Sequence, residues 1–402
     1  MNVLLASAYF DSHRGGIEIV AGRLARELAA RGCEVSWLAA DATQPVLDEA
    51  MRFTPVPIRA WNVTERRLGI PFPMPGPWGI AAIWRAVSSR EVVVMHDGLY
   101  PNNVVAMLAA KWRRKPVILV QHIAAVPYAN PVLRGVMRAA NAMVARPMLA
   151  AADQVVFISE TVAGYFADVR FKAPPQVIFN GVDTGVFALP PPGFKKSDVR
   201  SRLGLPRDGR VVTFVGRFVE KKGLIILERL ARLRPELTFA LAGWGPIDPN
   251  SWRHPNVHVF SELQGASLVP LYQASDCFVL PSTGEGLPLV MQEALACGLP
   301  VVTGRETASA DPAATEFIEG VEIGTGAPDA TAVAFADRID RVLLAAAGPN
   351  HGVAAMARNA FVRERYSWAQ AATQYMALME ILVTERTVPA QTRPAVTHRT
   401  SA

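Results

Sequence analysis

The chain has 402 residues, half of them hydrophobic and 19% charged, which suits two cores of roughly 150–200 residues and excludes a disordered protein. Its net charge of +6 is concentrated early: residues 1–190 hold 19 Lys and Arg against 14 Asp and Glu, the remainder 22 against 21. That bias favours anionic partners such as phosphate groups or acidic lipid headgroups, whereas the lack of a dense Lys/Arg stripe argues against nucleic acid.

Residues 3–10 form a short apolar run expected as the first strand, followed by the polar loop Asp11-Ser12-His13-Arg14-Gly15-Gly16. Ile17, Val20, Leu24 and Leu28 then recur at helical spacing, Gly32 stops the helix, and residues 34–39 start a second strand. The uncharged stretch 68–84 contains Pro71, Pro73, Pro75 and Pro77, which is incompatible with a spanning helix. Residues 92–95 and 117–120 read as buried strands, each running into a His-bearing loop: His96-Asp97-Gly98 and Gln121-His122. Lys111-Trp112-Arg113-Arg114-Lys115, after the apolar residues 104–110, reads either as a membrane-surface contact or as a solvated helix end. Residues 131–151 are expected as helix, with Arg134, Arg138 and Arg146 as its basic face, before strands at 154–158 and 176–179.

Pro190-Pro191-Pro192-Gly193 with Lys195-Lys196 breaks the alternation and reads as a linker. A second alternating unit follows, with strands at 211–215, 238–242, 257–260, 277–280 and 300–303, and residues 363–383 are expected as one long helix. Short apolar strands alternating with helices predict parallel sheets covered on both faces. The expected division is a first Rossmann-like domain over 1–188, a linker over 189–208 and a second Rossmann-like domain over 209–365. A crossover helix over 366–386 and a disordered tail over 387–402 complete it. Cys33, Cys277 and Cys297 lack metal-ligand spacing and are expected as free thiols in a reducing cytoplasm. No signal peptide is expected, so the chain is placed in the cytoplasm or peripherally on the inner face of the plasma membrane.

Two segments concentrate chemistry. Gly216 ends an apolar strand at the edge where open α/β sheets bind ligands, and Arg217 and Lys222 follow within one loop. Arg offers a planar fork and Lys a mobile point charge for phosphate oxygens, although the same residues would also suit a solvated turn. Residues 280–300 then run strand, glycine-rich loop, helix and strand, with Glu285 in the loop, Pro288 in the first helical turn and Glu293 farther along. A helix start is an anion site, so a carboxylate beside it is best explained by sugar hydroxyls. Eight residues of regular helix, about 12 Å of rise, would keep Glu285 and Glu293 from sharing one small ligand, but with Glu285 in the preceding loop the two could hold opposite ends of an extended one.

The run from Glu285 to Glu293 with Ala294-Leu295-Ala296-Cys297-Gly298-Leu299-Pro300 resembles the signature of family-four retaining glycosyltransferases of the GT-B fold. So do Gly216-Arg217 with Lys222-Gly223, Asn180-Gly181-Val182-Asp183, Gly243-Trp244-Gly245-Pro246, Gly15-Gly16-Ile17-Glu18 and Tyr366-Ser367-Trp368. The resemblance covers nearly the whole chain and implies two Rossmann-like domains facing a cleft, with a C-terminal helix returning to the first.

It further implies metal-independent transfer, without a cofactor, from a nucleoside-diphosphate sugar to an unidentified glycan, lipid or small-molecule acceptor. Arg217 and Lys222 would hold the diphosphate, Glu293 the ribose and Glu285 the transferred sugar. The backbone of Gly216, Gly286, Leu287 and Leu289 would line the donor, Gly15 and Gly16 would admit the diphosphate, and His122 would sit near the sugar. His96 is a second candidate in that half, and Glu18 is expected as a helix-start residue rather than an acceptor ligand. Pro288 removes an N–H that many relatives retain, and Gly304-Arg305-Glu306-Thr307 lacks the usual glycine pair and glutamate, leaving that loop unassigned. A nucleotide-sugar epimerase, or another GT-B enzyme without a glycosyl acceptor, is the alternative.

Overall fold

Two parallel sheets carry the structure, a computed structural model that describes residues 1–45, 52–63, 72–124, 131–324, 326–348 and 351–387. In the first half the strands are β1 (Asn2–Ala6), β2 (Glu34–Ala40), β3 (Thr54–Ile58), a short antiparallel pair β4 (Ala60–Trp61) and β5 (Met74–Pro75), β6 (Val92–His96), β7 (Val117–Gln121), β8 (Gln154–Phe157) and β9 (Gln176–Val177). The second half holds β10 (Arg210–Val215), β11 (Leu237–Ala242), β12 (Val257–Phe260), β13 (Cys277–Leu280), β14 (Val301–Gly304) and β15 (Ile318–Val321). The sheet orders are β3-β2-β1-β6-β7-β8-β9 and β12-β11-β10-β13-β14-β15. Both orders reverse beside their first strand, which opens a crevice at the carboxyl ends of β1/β6 and β10/β13.

Continuous apolar runs such as Val211-Val212-Thr213-Phe214-Val215 are buried because helices cover both faces. Helix Gly16–Ala30 covers one face of the first sheet, and its Val20, Leu24 and Leu28 enter that core. The expected return of the C-terminal helix is observed: Trp368, Ala372, Tyr375 and Met379 of helix Trp368–Thr387 join the core of the first half.

Three sequence expectations need correction. The first strand stops at Ala6, although residues 7–10 are apolar or buried: the Ser7 hydroxyl donates to the Tyr9 carbonyl and accepts from the Trp37 indole, turning the chain. The single helix expected over 363–383 is two, His351–Arg365 and Trp368–Thr387. Between them the Tyr366 carbonyl accepts from Val182 N–H at 2.8 Å and the Tyr366 hydroxyl bonds Asp311 at 2.8 Å, so tertiary partners outbid helix continuation. Pro288 precedes helix Leu289–Ala296 as its N-cap rather than lying in its first turn. The helix expected over 131–151 forms, with a π-helical turn at Asn141–Ala145. Part of the proline-rich stretch 68–84 and nearly all of the tail 387–402 lie outside the described residues, among which no helix is long and apolar enough to cross a membrane.

Helix Lys196–Arg202 packs on the second sheet, where buried Arg200 meets Asp276 at 2.7 Å, Lys196 adds a contact at 2.9 Å and Val211 N–H donates at 2.8 Å. Burial alone would raise the Asp276 carboxyl, but the two cations and the amide hold it below the usual range. Asp276→Ala leaves Arg200 buried without its counter-charge and is expected to cost about 3–5 kcal/mol in urea unfolding. The native pair also makes stability fall as pH drops through the depressed folded pKa, a dependence the variant lacks.

Candidate active site between the two sheets

At the end of β10, Gly216 N–H donates to Ala242 O at 3.0 Å and Phe218 N–H to Trp244 O at 2.8 Å, so the loop after β11 wraps the loop after β10. A Cβ on Gly243 would lie 1.9 Å from Gly216 O, which explains glycine there. This wrapping lays the Arg217 guanidinium over the Trp244 ring at 4.8 Å. Arg217 Nε is buried and has no hydrogen-bond partner. A strong donor left unmatched inside a folded protein is an expected feature of a ligand site.

The same loop meets the glycine-rich loop after β13. Thr283 N–H donates to Lys221 O at 3.0 Å, and Gly223, at φ +74°, sits so close to Pro281 that a Cβ would lie 2.1 Å from its carbonyl oxygen. Gly223→Ala therefore separates the two loops, and a melting point lowered by several degrees checks this. The contact brings Lys222 Nζ to 2.9 Å and Lys221 Nζ to 3.7 Å from Glu285 Oε1. Burial pushes the Glu285 carboxyl up, but Lys222 and Lys221 outweigh it and hold the group below the ordinary range. Leu287 is buried, and Leu289 at the helix start packs against the core of the first half.

Glu293 lies on the helix that follows the glycine-rich loop, Leu289–Ala296. Its Oε2 accepts from the Tyr272 hydroxyl at 3.0 Å, and burial pushes its carboxyl up to about 7 against the opposing pull of that hydrogen bond and of Arg23. Arg23 comes from helix Gly16–Ala30 of the first half and also meets Asp183 at 3.6 Å, so the cleft is charged on both walls. Nothing in the spacing of the sequence singled out Tyr272, Arg23 or Lys221. Trp244 was part of a motif, but its stacking on Arg217 was not foreseeable.

On the opposite wall His96 and His122 end the neighbouring strands β6 and β7, and parallel pairing brings them together. His96 Nδ1 and His122 Nε2 are 2.9 Å apart, one donating and the other accepting. Burial lowers both imidazoles, His122 to about 3, with each other's charge a further cause for His96, so both are neutral. Asp97, next to His96, adopts φ +70°, held by Leu99 N–H at 3.1 Å and Gln121 Nε2 at 3.2 Å. Burial raises its carboxyl to about 6 against those donors.

The two walls touch at Gly286, where a Cβ would lie 2.8 Å from His122 O and 2.9 Å from the Ile158 side chain. Gly15 caps helix Gly16–Ala30, and a Cβ there would meet the buried Glu18 carboxylate, whereas one on Gly16 would have nothing within 4 Å. Glu18 thus sits in the first helical turn, where the dipole favours an acid. Among the described residues no three His, Cys, Asp or Glu side chains gather as metal ligands. The structure thereby brings Lys222 and Glu285 together, keeps Arg217 on the same loop as Lys222 but stacked on Trp244, sets Glu293 on the adjoining helix, and places His122, paired with His96, across from the glycine-rich loop.

A family model described as Glycosyltransferase Family 4 matches residues 14–186, and one described as Glycosyl transferases group 1 matches residues 209–344. D-inositol 3-phosphate glycosyltransferase of Acidothermus cellulolyticus is 28% identical over 328 residues, spanning 72% of this chain and 70% of that one. Sucrose-phosphate synthase from Thermosynechococcus elongatus shares the fold at TM-score 0.73 and 20% identity, over 96% of this chain and 100% of that one. Anabaena HepE, in complex with UDP and glucose, matches at TM-score 0.69 and 18% identity, over 94% and 99%.

Proposed function

The chain belongs to the GT4-like glycosyltransferases of the GT-B fold, and on that premise we propose that it transfers a sugar from a nucleoside diphosphate to an acceptor with retention at the anomeric carbon. A uridine diphosphate sugar is the first donor to test, because the HepE complex holds UDP and glucose. The observation that carries the proposal is the buried, unmatched Arg217 Nε, on the same loop as the Lys222 that meets Glu285. A departing diphosphate supplies the acceptor oxygens that Arg217 lacks, and Glu285 stands next to it to receive hydroxyls of the sugar.

In this reading Arg217 and Lys222 neutralise charge that grows on the leaving group, in the role a divalent ion plays elsewhere. The backbone of Gly216, Gly286, Leu287 and Leu289 lines the donor, Gly15 and Gly16 leave room for the diphosphate, and Glu293 accepts the ribose hydroxyls. His122, neutral and steadied by His96, meets the sugar from the other wall. The acceptor is read as carried on lipid or polysaccharide at an anionic membrane surface, in cell-envelope or exopolysaccharide assembly. Domain roles follow: residues 1–188 face the acceptor, 209–365 hold the nucleotide, and 189–208 link them.

The direct test incubates the protein with UDP-, GDP- and ADP-sugars, follows the thermal shift, and reads the product's anomeric configuration by NMR. Inversion, or release of a free epimer without transfer, refutes the proposal. Glu293 gives a pH signature. Its folded pKa of about 7 lies above the ordinary value, so the empty protein keeps the proton to higher pH than the unfolded chain. Stability from this group is therefore lost as pH rises from about 4.5 to 7. A ribose that needs the carboxylate binds better over the same rise, so donor KM should fall severalfold between pH 6 and 8, and Glu293→Gln should flatten the profile.

A further inference from the structure

Three helices share one face of the first sheet: Pro77–Ser88, Pro101–Trp112 and the helix over 131–151. They pack inward through Ile83, Val87, Ala106, Met107, Met148 and Leu149. Their outward sides are unusually apolar. Trp78 and Trp112 are each 78% exposed, Val132 73% and Met143 71%, with Leu108 and Val136 also in the open. Isolated exposed hydrophobics are ordinary, but several large ones on one helical layer mark an interaction surface.

The charge of this layer identifies its partner. Residues 98–152 contain seven Lys or Arg and no Asp or Glu. Between the first two helices, Trp84, Arg85, Ser88, Ser89 and Arg113 line a shallow recess, with the Trp84 and Trp112 rings edge to face at 6.5 Å. Two guanidinium groups beside tryptophan rings suit a phosphate headgroup at the polar boundary of a bilayer, where indoles settle and cations meet anionic lipid. Lys111 and Arg146 are already paired with Asp153 and Asp168, so Arg113, Arg114, Lys115, Arg134 and Arg138 give the layer its positive charge.

We infer that this three-helix face docks the protein on an anionic lipid bilayer, with the recess at Arg85 and Arg113 taking a phosphate headgroup. The inference rests on the proposed acceptor reading and locates the surface it requires. These helices begin at the strands' carboxyl edge and end at Ser88 and Trp112, so the recess lies about 18 Å along the face from the cleft, a distance the lipid-borne acceptor itself must span.

Co-sedimentation of the full chain with phosphatidylcholine vesicles, with and without phosphatidylglycerol, tests the face at low and at physiological salt. The expected result is binding that requires phosphatidylglycerol and weakens with salt. Arg85→Gln with Arg113→Gln should lower it about 25-fold, since each cation at an anionic surface contributes a factor of about five. Trp112→Ser with Val136→Ser should lower it at unchanged charge, and every variant should keep the wild-type thermal shift with UDP. The inference is overturned if the protein stays in solution with both vesicles, sediments equally with both, or forms a dimer that Trp112→Ser abolishes while no vesicle is bound. Loss of the UDP shift with vesicle binding intact supports this surface and counts against the proposed function instead.

Discussion

Arg217→Ala is expected to lower kcat by about 10²–10³ while the protein stays folded. The side chain spends little on the fold: its guanidinium lies on Trp244 at 4.8 Å, and its Nε bonds nothing. Losing that stacking costs about 0.5–1 kcal/mol at a partly exposed site, a few degrees of melting temperature at most. What the variant loses is a donor whose partner arrives only with the ligand, so the loss should appear in the chemical step. Arg217→Lys restores charge without the fork and should recover part of the rate. Unchanged turnover in the alanine variant would remove the leaving-group argument.

Lys222→Ala is the second large effect and differs in kind, because Lys222 has a partner in the empty protein. Its removal leaves the Glu285 carboxylate in a mostly enclosed position with only Lys221 at 3.7 Å. Breaking a fully buried pair costs about 3–5 kcal/mol, and the remaining lysine should keep the cost below that range. The variant should therefore lose both stability and about 10²–10³ in kcat. Lys222→Met with Glu285→Gln separates the two, since it removes both charges at once: melting temperature should recover while turnover does not. Because the pair holds the Glu285 carboxyl down, its stability is present at neutral pH and is lost on acidification through that lowered pKa. A double variant as active as wild type would show the pair to be structural.

The strands were legible because buried parallel strands read as unbroken apolar runs, as in residues 211–215 and 277–280. Their ends were not, since Tyr9 and Phe10 are as buried as Leu4 while their backbone turns away on Ser7 and Trp37. Helical periodicity likewise ran through Tyr366-Ser367, where pairing with Val182 and Asp311 breaks the helix from outside.

The site was readable as a set of motifs and unreadable as a set of contacts. His96 and His122 each looked like a residue after a strand end, and only the adjacency of β6 and β7 makes them one hydrogen-bonded pair. Lys222 and Glu285 were assigned to different parts of one ligand, and the structure holds them 2.9 Å apart. Tyr272 and Arg23 reach Glu293 from another helix and from the other half of the chain, distances no local pattern encodes.

A crystal structure of the protein with UDP bound tests the central claim most directly. The diphosphate should lie within about 3 Å of Arg217 Nε, with Lys222 turned toward it and the ribose hydroxyls on Glu293. A nucleotide bound elsewhere, with Arg217 Nε still unmatched, would contradict the account.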